Sequence, residues 1–251
     1  MIPLHWITVL FAGAAGLAFA MPWDTCILSM IVLAASYLFL LLRGTISLSS
    51  PILGPCINRG RPADHFALTF DNSPDPEGTH AVLDLLAKYD VPATFFCIGE
   101  QVEAHPEIAQ RIHDEGHLIG NHSFSHSLSL TFANPTRLAS DMSRCQDVIE
   151  TTTGYRPRFY RPPFGLRNYS THAATTFNKV LVVGWCAGGM NTTKRSTGTV
   201  VKQCLSSLGP GAIMRLHDNG SIPGRTLEIV RQVLDTAKQR GLRPVRLDAL
   251  I

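Results

Sequence analysis

The sequence predicts an α/β protein: a small or incomplete barrel of about seven parallel strands, preceded by a transmembrane helical hairpin. From His65 onward, short runs rich in β-branched and aromatic residues alternate with amphipathic helical stretches. This alternation is typical of parallel strands joined by right-handed crossovers. Seven strand candidates within residues 65–251 fit a barrel better than an open sheet. Before them lie two apolar runs, each near the roughly 20 residues that a helix needs to cross a bilayer.

The apolar runs in residues 1–43 predict a membrane anchor made of two transmembrane helices. They read LHWITVLFAGAAGLAFAMPW and CILSMIVLAASYLFLLL, are separated by Asp24, and have no Lys or Arg before Arg43. A cleaved signal peptide normally begins with basic residues, and none is present here. The alternative is a buried pair of core helices in a soluble domain. The hairpin interpretation predicts a multi-pass membrane protein.

Residues 44–64 are rich in Gly, Pro and Ser and predict a linker to a domain at 65–251. The nearby basic residues are Arg43, Arg59 and Arg61, and all three lie on the side of the anchor that carries this domain. By the positive-inside tendency, that side is expected to be cytoplasmic.

Within the domain, the strands and helices follow each other in regular order. The strand candidates are HFALTF, ATFFCIG, HLIGNH, RFYR, KVLVVGW, GAIMRLH and RPVRL. The helical patterns are THAVLDLLAKY, PEIAQRIHDEG, PTRLASDMSRCQDVIETTTG and RTLEIVRQVLDTAKQRG. Several of them end at Gly, as helix C-caps commonly do.

The composition argues against several classes of function. The 251-residue chain has a formal charge of only +3 and no cluster of Lys and Arg with interleaved aromatics, so nucleic acid is not an expected partner. Its six cysteines contain no CxxC pair, which indicates neither a disulfide framework nor a thiolate metal site. Nothing in the sequence indicates an oligomeric state.

Polar side chains stand at the ends of successive strands. The first strand ends in LTFDNSPDP, and turn chemistry alone would explain Asp71 and Asn72. Later strands, however, end in NHSFSH, YRPPFG, GWCAGG and LHDNG. In an α/β barrel the carboxyl ends of the strands gather on one face, where active sites lie. The sequence therefore predicts one site that combines Asp71, Asn72, His122, His126, Arg161, Trp185, His217 and Asp218.

Two features of this predicted site suggest specific chemistry. His122 and His126 are four residues apart, so a helical turn would place both imidazoles on one face. They could then bind one divalent metal and leave positions for an oxygen ligand and water; two surface histidines on a Ser-rich loop are the alternative. Arg161, before two prolines, could orient a carboxylate through its planar fork. An ordinary salt bridge is the alternative for Arg161.

Four motifs in order, TFDNSPDP, NHSFSH, RPPFG and LHD, resemble those of the polysaccharide deacetylase family. This is the NodB-homology domain of carbohydrate esterase family four, a group of metal-dependent esterases that includes chitin, chitooligosaccharide and peptidoglycan deacetylases. The resemblance covers about residues 65–250 and leaves the hairpin outside. It implies a distorted (β/α) barrel that removes N-acetyl or O-acetyl groups from a glycan. With the anchor, it implies a protein of a bacterial inner membrane.

Carried over position by position, the resemblance implies three groups of site residues. The general base, the arginine that orients it and the general acid are Asp71, Arg161 and His217. The ligands of a divalent metal, Zn or else Co, Ni or Mn, are His122, His126 and Asn72. The residues that contact substrate are Phe164, Trp185 and Leu216, with Leu216 in the acetyl pocket. The backbone after Pro163 is expected to offer an N–H to the developing oxyanion.

The sequence departs from the family pattern at two acidic positions. Asn72 replaces the second of two successive aspartates, which is a metal ligand in the family, and Asn191 replaces an aspartate that tunes the catalytic histidine. Gly188 and Met190 also replace bulkier or charged residues. The two asparagines favour one alternative to an active deacetylase, a catalytically impaired glycan-binding domain. Because a fold alone does not fix the substrate, an amidohydrolase acting on a small non-glycan amide is a further alternative.

Overall fold

The computed structural model describes residues 4–61, 64–188, 195–219 and 224–251. Within them, eight parallel strands form one sheet in the order β5-β4-β3-β2-β1-β7-β6, with β8 also paired to β1. The strands are β1 His65–Ser73, β2 Thr94–Cys97, β3 Leu118–Asn121, β4 Phe159–Tyr160, β5 Leu181–Val182, β6 Ala187–Gly188, β7 Ile213–His217 and β8 Arg243–Pro244. All seven predicted strands are present, and the sheet is an incomplete barrel, which confirms the predicted fold class.

The helices that cover this sheet include the four predicted in the domain. The described α-helices are α1 Leu4–Ala18, α2 Trp23–Ile46, α3 Gly78–Tyr89, α4 Gly99–Ala104, α5 Pro106–Asp114, α6 Pro135–Thr153, α7 Thr171–Phe177, α8 Thr197–Ser207, α9 Arg225–Gln239 and α10 Leu247–Leu250. Helices α4, α7, α8 and α10 were not predicted from the sequence. Three of these span seven residues or fewer, and α8 is rich in Thr, Val and Gly, which have low helix propensity.

The central strand β1 brings the polar residues to the carboxyl edge of the sheet. Its side chains Phe66, Leu68 and Phe70 pack into the main hydrophobic cluster together with residues of the covering helices. Because side chains alternate along a strand, Thr69 and Asp71 point to the opposite face, the inside of the barrel. Asp71 pairs in register with His217 of β7. The strand ends therefore meet at one mouth, as predicted.

The predicted hairpin before the domain is only partly present. Helices α1 and α2 fold back on each other, with Thr8 Oγ1 3.0 Å from the Tyr37 hydroxyl and the Phe11 and Tyr37 rings 5.2 Å apart. The 24 residues of α2 reach about 36 Å and are apolar enough to cross a membrane. The 15 residues of α1 reach only about 22 Å, less than the roughly 30 Å hydrocarbon core. The described residues therefore contain one candidate span, and the prediction of a multi-pass protein is not supported.

The segment that follows α2 lies along the open side of the barrel. The Ile57 N–H donates to Val182 O at 2.9 Å, and Ile57 O accepts from the Gly184 N–H at 2.9 Å. Further along, the Gly60 N–H donates to Gly211 O at 2.8 Å, just before β7. Residues 57–60 thus bridge the two sides of the incomplete barrel.

Candidate active site

Asp71 is held at the end of β1 by Arg161. Both side chains are almost fully buried, and Arg161 Nη1 donates to Asp71 Oδ1 at 2.6 Å and to Thr69 Oγ1 at 2.7 Å. Arg161 Nη2 donates to Gly184 O at 2.9 Å, and the guanidinium lies 4.0 Å from the centroid of the Phe96 ring. The fork of Arg161 is therefore fixed on several sides and sets the orientation of the carboxylate.

The charges around Asp71 keep its carboxyl group ionised. Burial alone would raise the pKa of Asp71, but the guanidinium groups of Arg161 and Arg215 act against it, and the net shift is downward. An ionised carboxylate in a water-poor site, next to a fixed cation, is suited to accept a proton.

The two histidines of NHSFSH come together at the mouth. Their ring centroids are 5.0 Å apart, with the planes tilted by 53°. His122 Nδ1 lies 2.8 Å from Arg161 O. Because a carbonyl only accepts hydrogen bonds, this contact places the proton on Nδ1 and leaves Nε2 of His122 with a free lone pair. The arrangement of His122 matches that of histidines that bind metals.

A loop, and not a helical turn, brings these rings together. Ser123 and His126 adopt left-handed φ values of 68° and 46°. Ser123 Oγ accepts from the His126 N–H at 2.9 Å, and the Asp141 carboxylate accepts from the Phe124 N–H at 2.8 Å. The expectation of a helical turn was wrong, because side-chain acceptors stabilise a compact loop instead.

Burial keeps the histidines of the mouth neutral. It lowers the pKa of His122 to about 3 and that of His217 to about 4. The pKa of His126 is also lowered by burial. Neutral imidazoles are the form that binds a metal, so the pair is ready to bind near neutral pH without first losing protons.

Asn72 supplies an oxygen atom that the described protein groups do not satisfy. It lies at a bulge of β1 with a left-handed φ of 69°, and its buried Oδ1 has no hydrogen-bond partner among the described residues. The part of the chain that the structure describes also contains no group of three or more His, Cys, Asp or Glu side chains placed to hold a metal. Two imidazoles and an orphaned amide oxygen are donors that a divalent cation accepts, so this set fits such an ion.

Asp218 fastens the end of β7 to the turn after β1. Its Oδ2 accepts from Ser73 Oγ at 2.7 Å and from Thr79 Oγ1 at 2.6 Å. Burial raises the pKa of Asp218 to about 6, although both hydroxyls act in the opposite direction. Gly78 allows this approach, because a Cβ there would collide with Asp218 O. Asp218 therefore supports the mouth from behind.

The predicted substrate residues are placed differently from one another. Phe164 is 51% exposed at the mouth, and its ring lies 4.7 Å from that of His126. Trp185 packs against Gly165, where a side chain would collide with the indole. Leu216 is fully buried in the main cluster with Phe70. Since neighbouring strand residues face opposite ways, Leu216 lies on the other side of β7 from His217 and is not brought to the mouth.

Arg215 lies at the site but was not predicted from the sequence. It lies on the same face of β7 as His217, and its guanidinium stacks 3.8 Å from the centroid of the Trp185 ring. The two-residue period of the strand, counted back from His217, would have identified it. Gly188 adopts a φ of 122°, in a conformation that favours glycine. Met190 and Asn191 fall outside the described residues.

The chain is similar to proteins named as peptidoglycan deacetylases. A family described as polysaccharide deacetylase matches residues 58–182. A Bacillus cereus peptidoglycan-N-acetylglucosamine deacetylase is 33% identical over 188 residues, covering 73% of this chain and 67% of the relative. The Bacillus subtilis peptidoglycan-N-acetylmuramic acid deacetylase PdaC is 36% identical over 152 residues. That match covers 61% of this chain and only 32% of PdaC.

Solved structures agree with these sequence matches. The Bc1960 peptidoglycan N-acetylglucosamine deacetylase is 30% identical, with a TM-score of 0.71 over 78% of this chain and 92% of that one. A family 4 acetyl xylan esterase from Clostridium thermocellum, solved with a cobalt ion, is 30% identical, with a TM-score of 0.68 over 74% and 89%. A family pseudoenzyme from Bacillus anthracis, at 23% identity and a TM-score of 0.72 over 80% and 69%, shares the fold. The chain therefore belongs to the polysaccharide deacetylase family.

Proposed function

We propose that the protein is a metal-dependent hydrolase that removes acetyl groups from an N-acetylated or O-acetylated glycan and is attached to a membrane by α2. The observation that carries this proposal is the buried Asp71–Arg161 pair beside His217, with the two histidines at the same mouth. The names of the relatives support an acetylated amino sugar as the substrate class.

Each residue of the site has a defined task in this proposal. Asp71, ionised and held by Arg161, takes a proton from the attacking water. His217, beside Asp71 in register and neutral in the free protein, receives the proton that Asp71 took from water and delivers it to the departing amine, so both side chains return to their starting states. The Phe164 N–H, in the short turn Pro163–Gly165, is the candidate donor to the developing oxyanion. Phe164 and Trp185 are proposed to contact the sugar and the acyl group.

His122, His126 and Asn72 are proposed to hold the divalent metal, with Zn, Co, Ni and Mn as candidates. When bound, such an ion polarises the acyl carbonyl and makes water more acidic. The cobalt-bound relative supports a divalent ion in this fold. An amide oxygen lacks the charge of the carboxylate usual at this position, so Asn72 is expected to hold the ion weakly.

A second candidate function is glycan binding without efficient turnover. The observation that favours it is Asn72, because a site without an anionic ligand retains its metal poorly. The fold shared with a pseudoenzyme shows that this scaffold also occurs without activity. The intact Asp71–Arg161 pair argues for the enzyme.

The test measures acetate release and glycan binding on the same full-length protein in detergent. N-acetylglucosamine oligomers, acetylated xylan and a small acetamide are each supplied with Zn, Co, Ni or Mn, and with a chelator. Metal-dependent acetate from a glycan supports the enzyme. Glycan binding without acetate supports the second candidate, and acetate from the small amide alone contradicts the glycan assignment. The expected cytoplasmic side of the domain stays a prediction that protease protection in sealed vesicles can test.

A further inference from the structure

A single arginine fastens the end of α2 to the loop that follows β4. The Arg167 side chain is fully buried and donates to four backbone carbonyls just after α2: Ser47 O at 3.1 Å, Leu48 O at 3.3 Å, Ser50 O at 2.6 Å and Gly54 O at 3.0 Å. The Arg167 N–H donates to Thr45 O, in the last turn of α2, at 3.2 Å. Releasing a buried guanidinium from these acceptors is costly, so α2 and this loop move as one body.

The charges of α2 set the depth of this attachment. The 18 uncharged residues 25–42, between Asp24 and Arg43, reach about 27 Å, close to the roughly 30 Å hydrocarbon core. Arg43 then marks the membrane surface, and Thr45 lies about 3 Å beyond it. The headgroup layer extends roughly 5–8 Å from the core on each side. Arg167, hydrogen-bonded to Thr45, therefore lies at headgroup depth when α2 crosses a bilayer.

The exposed apolar side chains of the domain lie in the same part of the chain as Arg167. Among the described residues after α2, all exposed large apolar side chains fall between positions 128 and 181: Leu128, Phe132, Phe164, Tyr169, Phe177 and Leu181. The elements that carry Leu128, Phe132, Phe177 and Leu181 share one hydrophobic cluster, against which Cys56 of the segment after α2 packs. The described parts of α3, α5, α8 and α9 expose none. Phe132 and Tyr169 are 83% and 61% exposed.

Phe132 and Tyr169 belong to one surface. Asn168 Nδ2 donates to Ala133 O at 2.9 Å, and Ser170 Oγ donates to the same carbonyl at 2.8 Å. These contacts hold the turn that carries Phe132 beside the loop that carries Tyr169. The attachment of Arg167 lies in that same loop. The surface is therefore continuous with the end of α2.

We propose that the surface formed by the exposed apolar side chains between positions 128 and 181, and with it the mouth of the site, lies against the headgroup layer of the bilayer that α2 crosses. Aromatic side chains favour this layer, where their rings meet apolar chains and their polar edges meet water. Phe164 and Tyr169 lie three and two residues from Arg167, and Phe164 borders the histidine pair. As a consequence that rests on the proposed function, the glycan that reaches Asp71 is one linked to a lipid or held close to the membrane.

The test maps lipid contacts directly and needs no enzyme activity. The full chain is placed in phosphatidylcholine nanodiscs that contain a phospholipid with a photoreactive diazirine near its headgroup. After illumination, lipid adducts are located by peptide mass spectrometry. Adducts are expected at the end of α2 and in residues 128–133 and 164–170, and at least five-fold fewer in α9. Adducts at α2 without adducts in those two segments would overturn the proposal. An unlabelled α2 would overturn its premise.

Variants separate this contact from a general change in folding. Phe132→Asp combined with Tyr169→Asp should lower adducts in residues 128–133 and 164–170 at least five-fold and leave those at α2 unchanged. The matched control is Gln239→Asp, at an exposed position at the end of α9, which should change neither. Equal adducts in the double variant and the control would contradict the proposal.

Discussion

Replacing Asn72 by Asp adds one negative charge at a side chain that we propose as a metal ligand. The side chain is nearly unchanged in shape, and its buried Oδ1 has no hydrogen-bond partner among the described residues. The surrounding packing should therefore survive, and any effect should be electrostatic. In the metal-free protein the new carboxylate lies next to Asp71, and like charges at such a site resist joint ionisation.

The two states of the protein should respond in opposite directions. Two like charges about 4 Å apart repel by about 1 kcal/mol in bulk water and by about 4 kcal/mol at an effective dielectric constant of 20, so the metal-free variant should lose stability within that range. In the metal-bound protein the same substitution should be stabilising, because a divalent ion attracts both carboxylates. After the cost of desolvating the added charge, we expect a net gain of about 1.4–2.8 kcal/mol, which is about 10–100-fold tighter metal binding.

The assay is metal titration by calorimetry, with thermal unfolding of the metal-free and metal-loaded protein alongside. The matched control is Asn134→Asp. Asn134 is an exposed N-cap that accepts from the Arg137 N–H at 2.9 Å, and Asp caps equally well. Unchanged or weaker metal affinity in Asn72→Asp would show that this side chain does not reach the metal, and the DNSP segment would then be turn chemistry alone.

Three further predictions concern single side chains. Alanine at either histidine of the mouth pair should abolish metal retention, measured on purified protein, whereas His117→Ala should keep it, because His117 Nδ1 only accepts from the Ala93 N–H. Asp218 has a raised pKa, so its contribution to the free energy of unfolding is full below about pH 4 and is lost as pH rises through about 6. Denaturation at a series of pH values should show a loss of up to about 3 kcal/mol. Asp218→Asn should reduce this dependence of stability on pH. Arg215→Met should raise the pKa of His217, because Arg215 is one of the charges that lower it. An NMR titration that finds the same pKa in both proteins would show that Arg215 does not act on His217.

The sequence predicted what depends on local pattern. The alternation of strands and helices gave the incomplete barrel, because each strand carries its own composition and turn signals. The gathering of Asp71, Arg161 and His217 followed from one rule about the carboxyl ends of parallel strands. The pairing of the histidines was predicted from their spacing, although a loop and not a helical turn brings them together.

What the sequence did not predict depends on contacts between distant segments. The segment after α2 was interpreted as a linker from its Gly, Pro and Ser content, but Arg167 binds four of its carbonyls, and no local pattern marks that pairing. Two membrane spans were predicted from the length of two apolar runs, but α1 covers only 15 residues of the first run. Arg215 was not predicted because it lies just outside the LHD motif, although it shares one face of β7 with His217.

The most direct test of the central claim is acetate release from N-acetylglucosamine oligomers by the metal-loaded full-length protein, measured beside Asp71→Asn. We expect turnover that a chelator abolishes and that Asp71→Asn lowers by about 10²–10⁴-fold, the usual contribution of a general base. Glycan binding should persist in the variant. Equal acetate release by the two proteins, or release that survives the chelator, would contradict the account.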